Sequence, residues 1–340
     1  MPKVILTGSQ GFIGSYVCRE LLNKGYEVIG VDDYSKYGKI TRAHDKDSGF
    51  RFIEADLSER NFSEEILKDD HKDSVDYIIA GAAMVGGVSY LDKYIYDVLS
   101  TNERITANTF DLAIEAFKRH KLKKIIVLSS GLVYENSSVF PTPEIEAKLS
   151  APPSATYGLQ KLASEYFAKG AYKQYGLPYT IIRPFNCIGT GEEDSIKENE
   201  TTSGNIKLAM SHVVPDLINK ILKGQYPLHI LGSGEQVRCY INGKDMARGI
   251  RLAMEHDNAF NQDFNISSRE PTSVLELAKL IWKKIKGNEE FKYVSDEPFS
   301  QDVQKSIPSV DKASVMIGFE AEISLEESLE EVIEHIKNKT

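Results

Sequence analysis

Lys3-Val4-Ile5-Leu6-Thr7-Gly8-Ser9-Gln10-Gly11-Phe12-Ile13-Gly14 stands at the head of the chain, and the fold follows from its order. Val4, Ile5 and Leu6 run together without alternation, the pattern of a strand covered on both faces of a parallel sheet. After the glycines comes a helical pattern through Val17, Leu21 and Leu22. Gly25 stops that helix, and Glu27 to Val31 reads as a second strand. Strand, glycine turn, helix and strand form the setting in which a backbone cradles a dinucleotide pyrophosphate at a helix N-terminus. The spacing, G-x-x-G-x-x-G, is one residue longer than the common fingerprint. Gly8, Gly11, Phe12, Ile13 and Gly14 are therefore candidate cofactor contacts, against the alternative of a tight turn with no ligand.

Asp32 ends the second strand, 18 residues after Gly14. A carboxylate there accepts both ribose hydroxyls of NAD and repels a 2′-phosphate, which favours NAD over NADP. Lys36, Lys39 and Arg42 follow closely and could soften that repulsion. Asp33 is a rival carboxylate one residue beyond the strand. Asp56 and Leu57, after the strand Phe52-Ile53, are placed to meet the adenine, although Asp56 is equally suited to a helix N-cap. Ile78 to Ala83 and Lys124 to Ser129 read as two more buried strands. Their ends, Ala82-Ala83 and Ser129-Ser130, should face the cofactor.

Tyr157 and Lys161 are four residues apart in a stretch that reads as helix from near Thr156 to Lys173, so both project from one face. A phenol ordinarily loses its proton near pH ~10. A cation held against it is expected to favour the phenolate and to make a base for a sugar or alcohol hydroxyl. A solvated helix face is the competing reading of the same spacing.

The bulk composition narrows the field. The chain has 340 residues, 41% hydrophobic and 27% charged, with net charge -9. Length and composition are those of a globular protein with one large or two smaller cores. An acidic chain lacks the basic footprint of a general nucleic-acid binder. Cys18, Cys187 and Cys239 are widely spaced, without a metal-like pattern, and read as reduced thiols of a cytoplasmic protein. No metal site is expected. The first strand begins at Lys3 without a signal-peptide pattern, and no apolar run approaches the ~20 residues of a membrane span.

Ile126-Val127-Leu128-Ser129-Ser130-Gly131-Leu132-Val133-Tyr134 precedes Tyr157. Together with Gly8, Gly11, Gly14, Asp32, Asn102 and Lys161, it resembles the extended short-chain dehydrogenase/reductases, in their nucleotide-sugar epimerase and dehydratase branch. The resemblance covers nearly the whole chain. It implies that Ser130 shares the substrate hydroxyl with Tyr157, its hydroxyl donating and accepting at once. A strand-end serine satisfied by backbone is the alternative. The resemblance further implies that Asn102 serves the cofactor site, that Pro184 lies near the nicotinamide and that Asn186 contacts a sugar diphosphate. Ser211-His212-Val213-Val214-Pro215 is similar to a segment of the GDP-L-fucose synthase group. There His212 is either an acid or a helix-start residue touching phosphate or sugar. Gly232 to Arg238 resembles the family's phosphate-arginine segment, with Arg238 gripping the diphosphate or, alternatively, forming a surface salt bridge. Cys239-Tyr240-Ile241-Asn242-Gly243 departs from the family's usual continuation, while Asp245 is retained.

The dehydratases of this family place Asp-Glu directly after the serine or threonine. Here those positions are Gly131 and Leu132, which cannot move protons. The glutamate of the decarboxylases and the cysteine of the fucose synthases are missing at the second position as well. The resemblance therefore implies hydride removal and return at sugar C4, as in the UDP-galactose 4-epimerase group. A C4 dehydrogenase or 4-keto reductase uses the same groups. A dehydratase or decarboxylase is less favoured, and a non-catalytic sensor least.

The architecture expected is α/β: a doubly wound parallel sheet, Rossmann-like, over residues 1–186, and a smaller α/β substrate domain mainly over 187–340, with the chain crossing back. Strands are expected near Leu228-Ile230 and Phe264-Ile266, and helices near Val213-Leu222 and Val274-Ile285. Thr190 to Leu208 reads as a loop over the substrate mouth. Helices around Thr101-Arg119 and Ala155-Tyr172 resemble the pair that forms a homodimer interface in the family. Ile105, Phe110 and Phe167 serve that interface or the core.

Overall fold

All five residues of strand β1 (Lys3–Thr7) are buried, because both neighbours and both faces of the sheet cover it. The computed structural model of the protein describes residues 1–59, 66, 75–120, 122–192, 200–203, 206–209, 212–297 and 303–339. β1 lies between β2 (Glu27–Asp32) and β4 (Tyr77–Ala80); β3 (Phe50–Glu54) extends one side, and β5 (Lys124–Leu128) and β6 (Tyr179–Pro184) extend the other. A seventh strand, Gln262–Ile266, pairs with β6. Every pairing in this sheet is parallel. The chain steps from β3 back across β1 to β4, and the crevice over the C-terminal ends of β1 and β4 is the place where such sheets bind ligands. This is the doubly wound Rossmann-like α/β fold. The fourth strand ends at Ala80, three residues before the Ala83 end read from sequence, because the backbone beyond it leaves the ladder to form the cavity wall.

Two apolar layers sandwich the sheet. On one face, helix α1 (Phe12–Asn23) packs Tyr16, Val17 and Leu21 against Met246, Ile250 and Met254 of the Gly243–Glu255 helix. On the other, Phe110, Leu112 and Ala116 of the Ile95–His120 helix meet Ala168 and Ala171 of the Thr156–Tyr175 helix. Each fully buried Leu or Ile in these layers contributes roughly 1.5–3 kcal/mol. A third core gathers the Val213–Leu222, Val274–Lys286 and Leu325–Lys337 helices around Leu217, Ile281, Trp282 and Ile333. The late segments therefore serve both parts of the molecule. The Gly243–Glu255 helix and the Gln262–Ile266 strand join the first layer system, while the helices around them build the third core.

The 190–208 segment is not wholly a loop. Glu200–Ser203 and Ile206–Ala209 form an antiparallel hairpin. Glu193 and Asp194, in the charged run read from sequence, lie outside the described residues, as does Ser211. Among the described residues, no helix is long and apolar enough to cross a membrane.

Candidate active site

The turn after β1 is shaped by two glycines. Gly8 has φ +76, and a Cβ there would stand 2.9 Å from the Ala82 backbone. A Cβ on Gly14 would lie 1.9 Å from the Gly8 carbonyl oxygen. These close approaches leave a side-chain-free cradle. Gly11 precedes α1 with no side-chain cap, and no acid occupies the first turn. The open helix N-terminus suits an anion such as a pyrophosphate. Gly8, Gly11, Phe12, Ile13 and Gly14 all line one cavity of about 1020 Å³.

Asp32 lines the same cavity. Its carboxylate accepts the Gln10 and Tyr34 N–H groups, each at 2.9 Å. Burial nonetheless pushes its pKa upward, with those backbone donors offsetting part of the shift. Two of the three nearby cations are engaged elsewhere. Lys39 meets Glu54 at 2.8 Å, and Arg42 donates to the Gln10 carbonyl at 2.8 Å and the Gly191 carbonyl at 2.9 Å. Lys36 does line the cavity. Asp56 and Leu57 line it too, and Asp56 accepts the Ser58 N–H at 2.8 Å, so the carboxylate closes a turn while facing the site. Ala82 and Ala83 form the wall beside β1, with the Ala82 N–H held by the Thr7 hydroxyl at 3.2 Å. Asn102 stands behind that wall, 1% exposed. Its amide grips the Met84 backbone from both sides, at 2.6 and 2.9 Å, so it shapes the cavity through Met84.

The helix that carries Tyr157 and Lys161 starts at Thr156. Its cap residue, Ala155, has no side-chain acceptor to offer. Glu135 supplies one from the serine segment, accepting the Ala155 N–H at 3.0 Å. Asn136 donates to the Pro152 carbonyl at 2.7 Å. These bonds join the segment after Ser130 to the start of the tyrosine helix. Tyr157, Lys161, Ser129 and Ser130 all line the cavity. Lys161 Nζ donates to the Leu128 carbonyl at 2.9 Å and lies 5.7 Å from the Tyr157 ring centre.

The phenol of this protein departs from the sequence expectation. Burial pushes the Tyr157 pKa well above its ordinary value, and a hydrogen bond with Ser130 offsets only part of that. Burial also lowers Lys161 to about 8. A buried ammonium already shared with a carbonyl does not by itself make its neighbour a phenolate; desolvation of the anion outweighs it. Ser130 Oγ accepts the Leu132 N–H at 3.1 Å, so the serine is partly satisfied by backbone while it lies near enough to Tyr157 to favour the phenolate slightly.

Pro184, Asn186, His212 and Arg238 also form part of the cavity wall, Pro184 at the end of the strand beside the one that leads into Ser130. Asn186 Nδ2 donates to the Cys239 carbonyl at 3.1 Å and Arg238 Nη1 to the Val237 carbonyl at 2.9 Å. His212 precedes the Val213–Leu222 helix and contacts Glu192, whose charge holds the imidazole pKa above its usual value. Lys220, Gln236 and Tyr240 join this wall without having been singled out from sequence.

Behind Ser130 and Tyr157 lies a buried ionic network. Arg183 is 0% exposed. Its guanidinium meets both carboxylate oxygens of Glu165, each at 2.8 Å, and Asp263 at 2.8 Å, and donates to the Tyr134 hydroxyl at 2.6 Å. Ser129 Oγ donates to Glu165 at 2.8 Å. Burial works against the Asp263 charge, yet Arg183 and Lys312 hold its carboxyl below the usual range. One guanidinium thus ties the serine strand, the tyrosine helix, β6 and the returning Gln262–Ile266 strand together. Sequence offered one clue: Glu165 falls one turn beyond Lys161 on the same helix.

Residues 4–267 match the NAD dependent epimerase/dehydratase family. A putative UDP-glucose 4-epimerase of Methanocaldococcus jannaschii is 28% identical over 336 residues, covering 98% of both chains. A UDP-N-acetyl-alpha-D-glucosaminuronate decarboxylase of Bacillus cytotoxicus is 26% identical over 339 residues, covering 98% of this chain and 97% of that one. Among solved structures, UDP-glucose 4-epimerase of Thermotoga maritima with UDP-glucose superposes with a TM-score of 0.82 at 30% identity, covering 99% of both chains.

Proposed function

As the chain belongs to the NAD-dependent epimerase/dehydratase family, we propose that it is a nucleotide-sugar epimerase acting by transient oxidation at sugar C4. The observation that carries this reading is the meeting of Tyr157, Ser130 and Lys161 in one cavity with the glycine cradle, while Gly131 and Leu132 bring no acid beside the serine. The UDP-sugar relatives support the substrate class.

The residues present fit NAD: a cradle a Cβ would fill, and a strand-end carboxylate for a ribose. When bound in its oxidised form, NAD supplies a hydride acceptor and one positive charge. Tyr157 takes the proton of the sugar 4-hydroxyl and later returns it, and Ser130 holds the same oxygen during both transfers. Lys161 keeps a positive charge near the phenol, and its bond to the Leu128 carbonyl fixes its height on the cavity floor. Arg238, Asn186 and His212 anchor the diphosphate, so that the keto sugar turns while its anchor stays. Residues 1–186 carry the cofactor and residues 187–340 mainly the substrate.

Incubation with a panel of nucleotide sugars, with products resolved by NMR, tests the reaction. The expected product is a C4 epimer with no net formation of NADH. A nucleotide-linked 4-keto-6-deoxy sugar, or a nucleotide-linked pentose formed with CO2, would overturn the reading in favour of a dehydratase or decarboxylase, and stoichiometric NADH would make the protein a dehydrogenase.

The two helices flanking the site also support a homodimer. Phe110 is core, at 3% exposure, but Phe167, stacked on it at 5.8 Å between ring centres, is 37% exposed. Leu159, Tyr166 and Tyr172 are exposed on the same helix. Sedimentation should give a dimer that Tyr166→Glu dissociates; a monomeric wild type would remove this part of the proposal.

A further inference from the structure

Glu135 follows the short turn Gly131–Tyr134 and is half-buried. Its side chain lines the cavity beside Ser130, Leu132, Ser154, Thr156 and Tyr157. One oxygen, Oε2, is engaged by the Ala155 N–H at 3.0 Å. Among the described residues no Lys, Arg or His forms an ion pair with this carboxylate. The cation at this end of the cavity, Lys161, is bound to the Leu128 carbonyl. Gly131, Leu132, Ala83 and Met84 line the same cavity and carry no charge. The second oxygen of Glu135 is thus an acceptor with a negative charge, at the end of the cavity that holds the reacting tyrosine.

We propose that Glu135 determines sugar specificity: it accepts a hydrogen bond from a neutral hexose and disfavours a sugar that carries its own carboxylate. The inference rests on the reading of the cavity as a nucleotide-sugar site, and it narrows that reading to neutral sugars. Two like charges in one half-enclosed wall repel, and the penalty falls only on the uronate. A hydroxyl or an amide at the same place donates to the carboxylate instead.

The test compares UDP-glucose with UDP-glucuronate on wild type, Glu135→Gln and Glu135→Asp, by kcat/KM for epimerisation and by calorimetric binding. Glutamine keeps an acceptor for the Ala155 N–H and removes only the charge, so the start of the tyrosine helix is preserved. Wild type is expected to prefer the neutral sugar, and E135Q to narrow that preference by about tenfold. E135D, which retains the charge, should keep most of it. A wild type that binds both sugars equally, or an E135Q variant with an unchanged ratio, overturns the inference. Binding separates the two proposals. A protein that selects UDP-glucose in calorimetry but forms no C4 epimer sinks the epimerase reading and leaves the role of Glu135 intact. Epimerisation of both sugars with equal efficiency does the reverse, and failure to bind either sinks both.

Discussion

Tyr157→Phe is expected to lower turnover by about 10²–10⁴-fold, the range for loss of a positioned acid–base group. The substitution removes one oxygen. In the structure that oxygen is near Ser130, while the ring lies against the cluster of Tyr90 and Val98. Packing is therefore retained, and the melting temperature and NAD binding should stay close to wild type. The loss should appear in kcat more than in KM, because Arg238, Asn186 and His212, the proposed diphosphate anchor, are untouched. Turnover within tenfold of wild type, measured by NMR or a coupled assay, would show that another group moves the proton. The high pKa of the phenol makes this a demanding test. Tyr157 must be brought toward the phenolate before it can accept a proton, so its contribution depends on the charge assembled around it and not on an exposed base waiting in solvent.

Arg183→Met should destabilise the protein by about 3–5 kcal/mol, the cost of leaving buried charges without a partner. Methionine fills much of the volume but offers no donor to Glu165, Asp263 or the Tyr134 hydroxyl. Both carboxylates would then have to stay charged with less compensation or take up protons. Glu165 keeps Lys169 at 3.5 Å and the Ser129 hydroxyl at 2.8 Å, and Asp263 keeps Lys312 at 2.7 Å. Urea denaturation followed by fluorescence gives the change directly. A loss below 1 kcal/mol would mean that the network contributes little to folding. The variant should also lose less stability than wild type as pH falls through the Asp263 range, because Asp263, held below its usual range by Arg183 and Lys312, then has one ion pair fewer to lose on protonation. Activity is expected to fall with stability, since Ser129 hangs from Glu165 and precedes Ser130 in the chain.

The glycine turn, Asp32 and the Tyr157–Lys161 pair were legible because each is written in short-range spacing. A β strand followed by close-packed glycines allows few local structures, and two residues four apart on a helix meet whatever the helix packs on. Glu135 and Arg183 were not legible as site residues. Their partners lie 20 residues away at Ala155 and 18 and 80 residues away at Glu165 and Asp263. No periodicity announces such contacts. The hairpin inside the 190–208 segment was missed for a related reason. Its first strand, Glu200–Ser203, is wholly polar, and its second, Ile206–Ala209, is only four residues long, too short a run for its alternation to be read as a strand.

Sequence alone determined that this chain winds a parallel sheet, forms a side-chain-free glycine turn before its first helix and brings a tyrosine and a lysine to one face of a helix. Those outcomes depend on backbone sterics and on the period of apolar residues, which are local properties. The state of the tyrosine, the satisfaction of Asp32 by Gln10 and Tyr34, and the buried guanidinium that reaches Ser129 through Glu165 were decided by tertiary structure. They depend on how much water each group loses and on which distant charge replaces it, and desolvation has no signature in the order of residues.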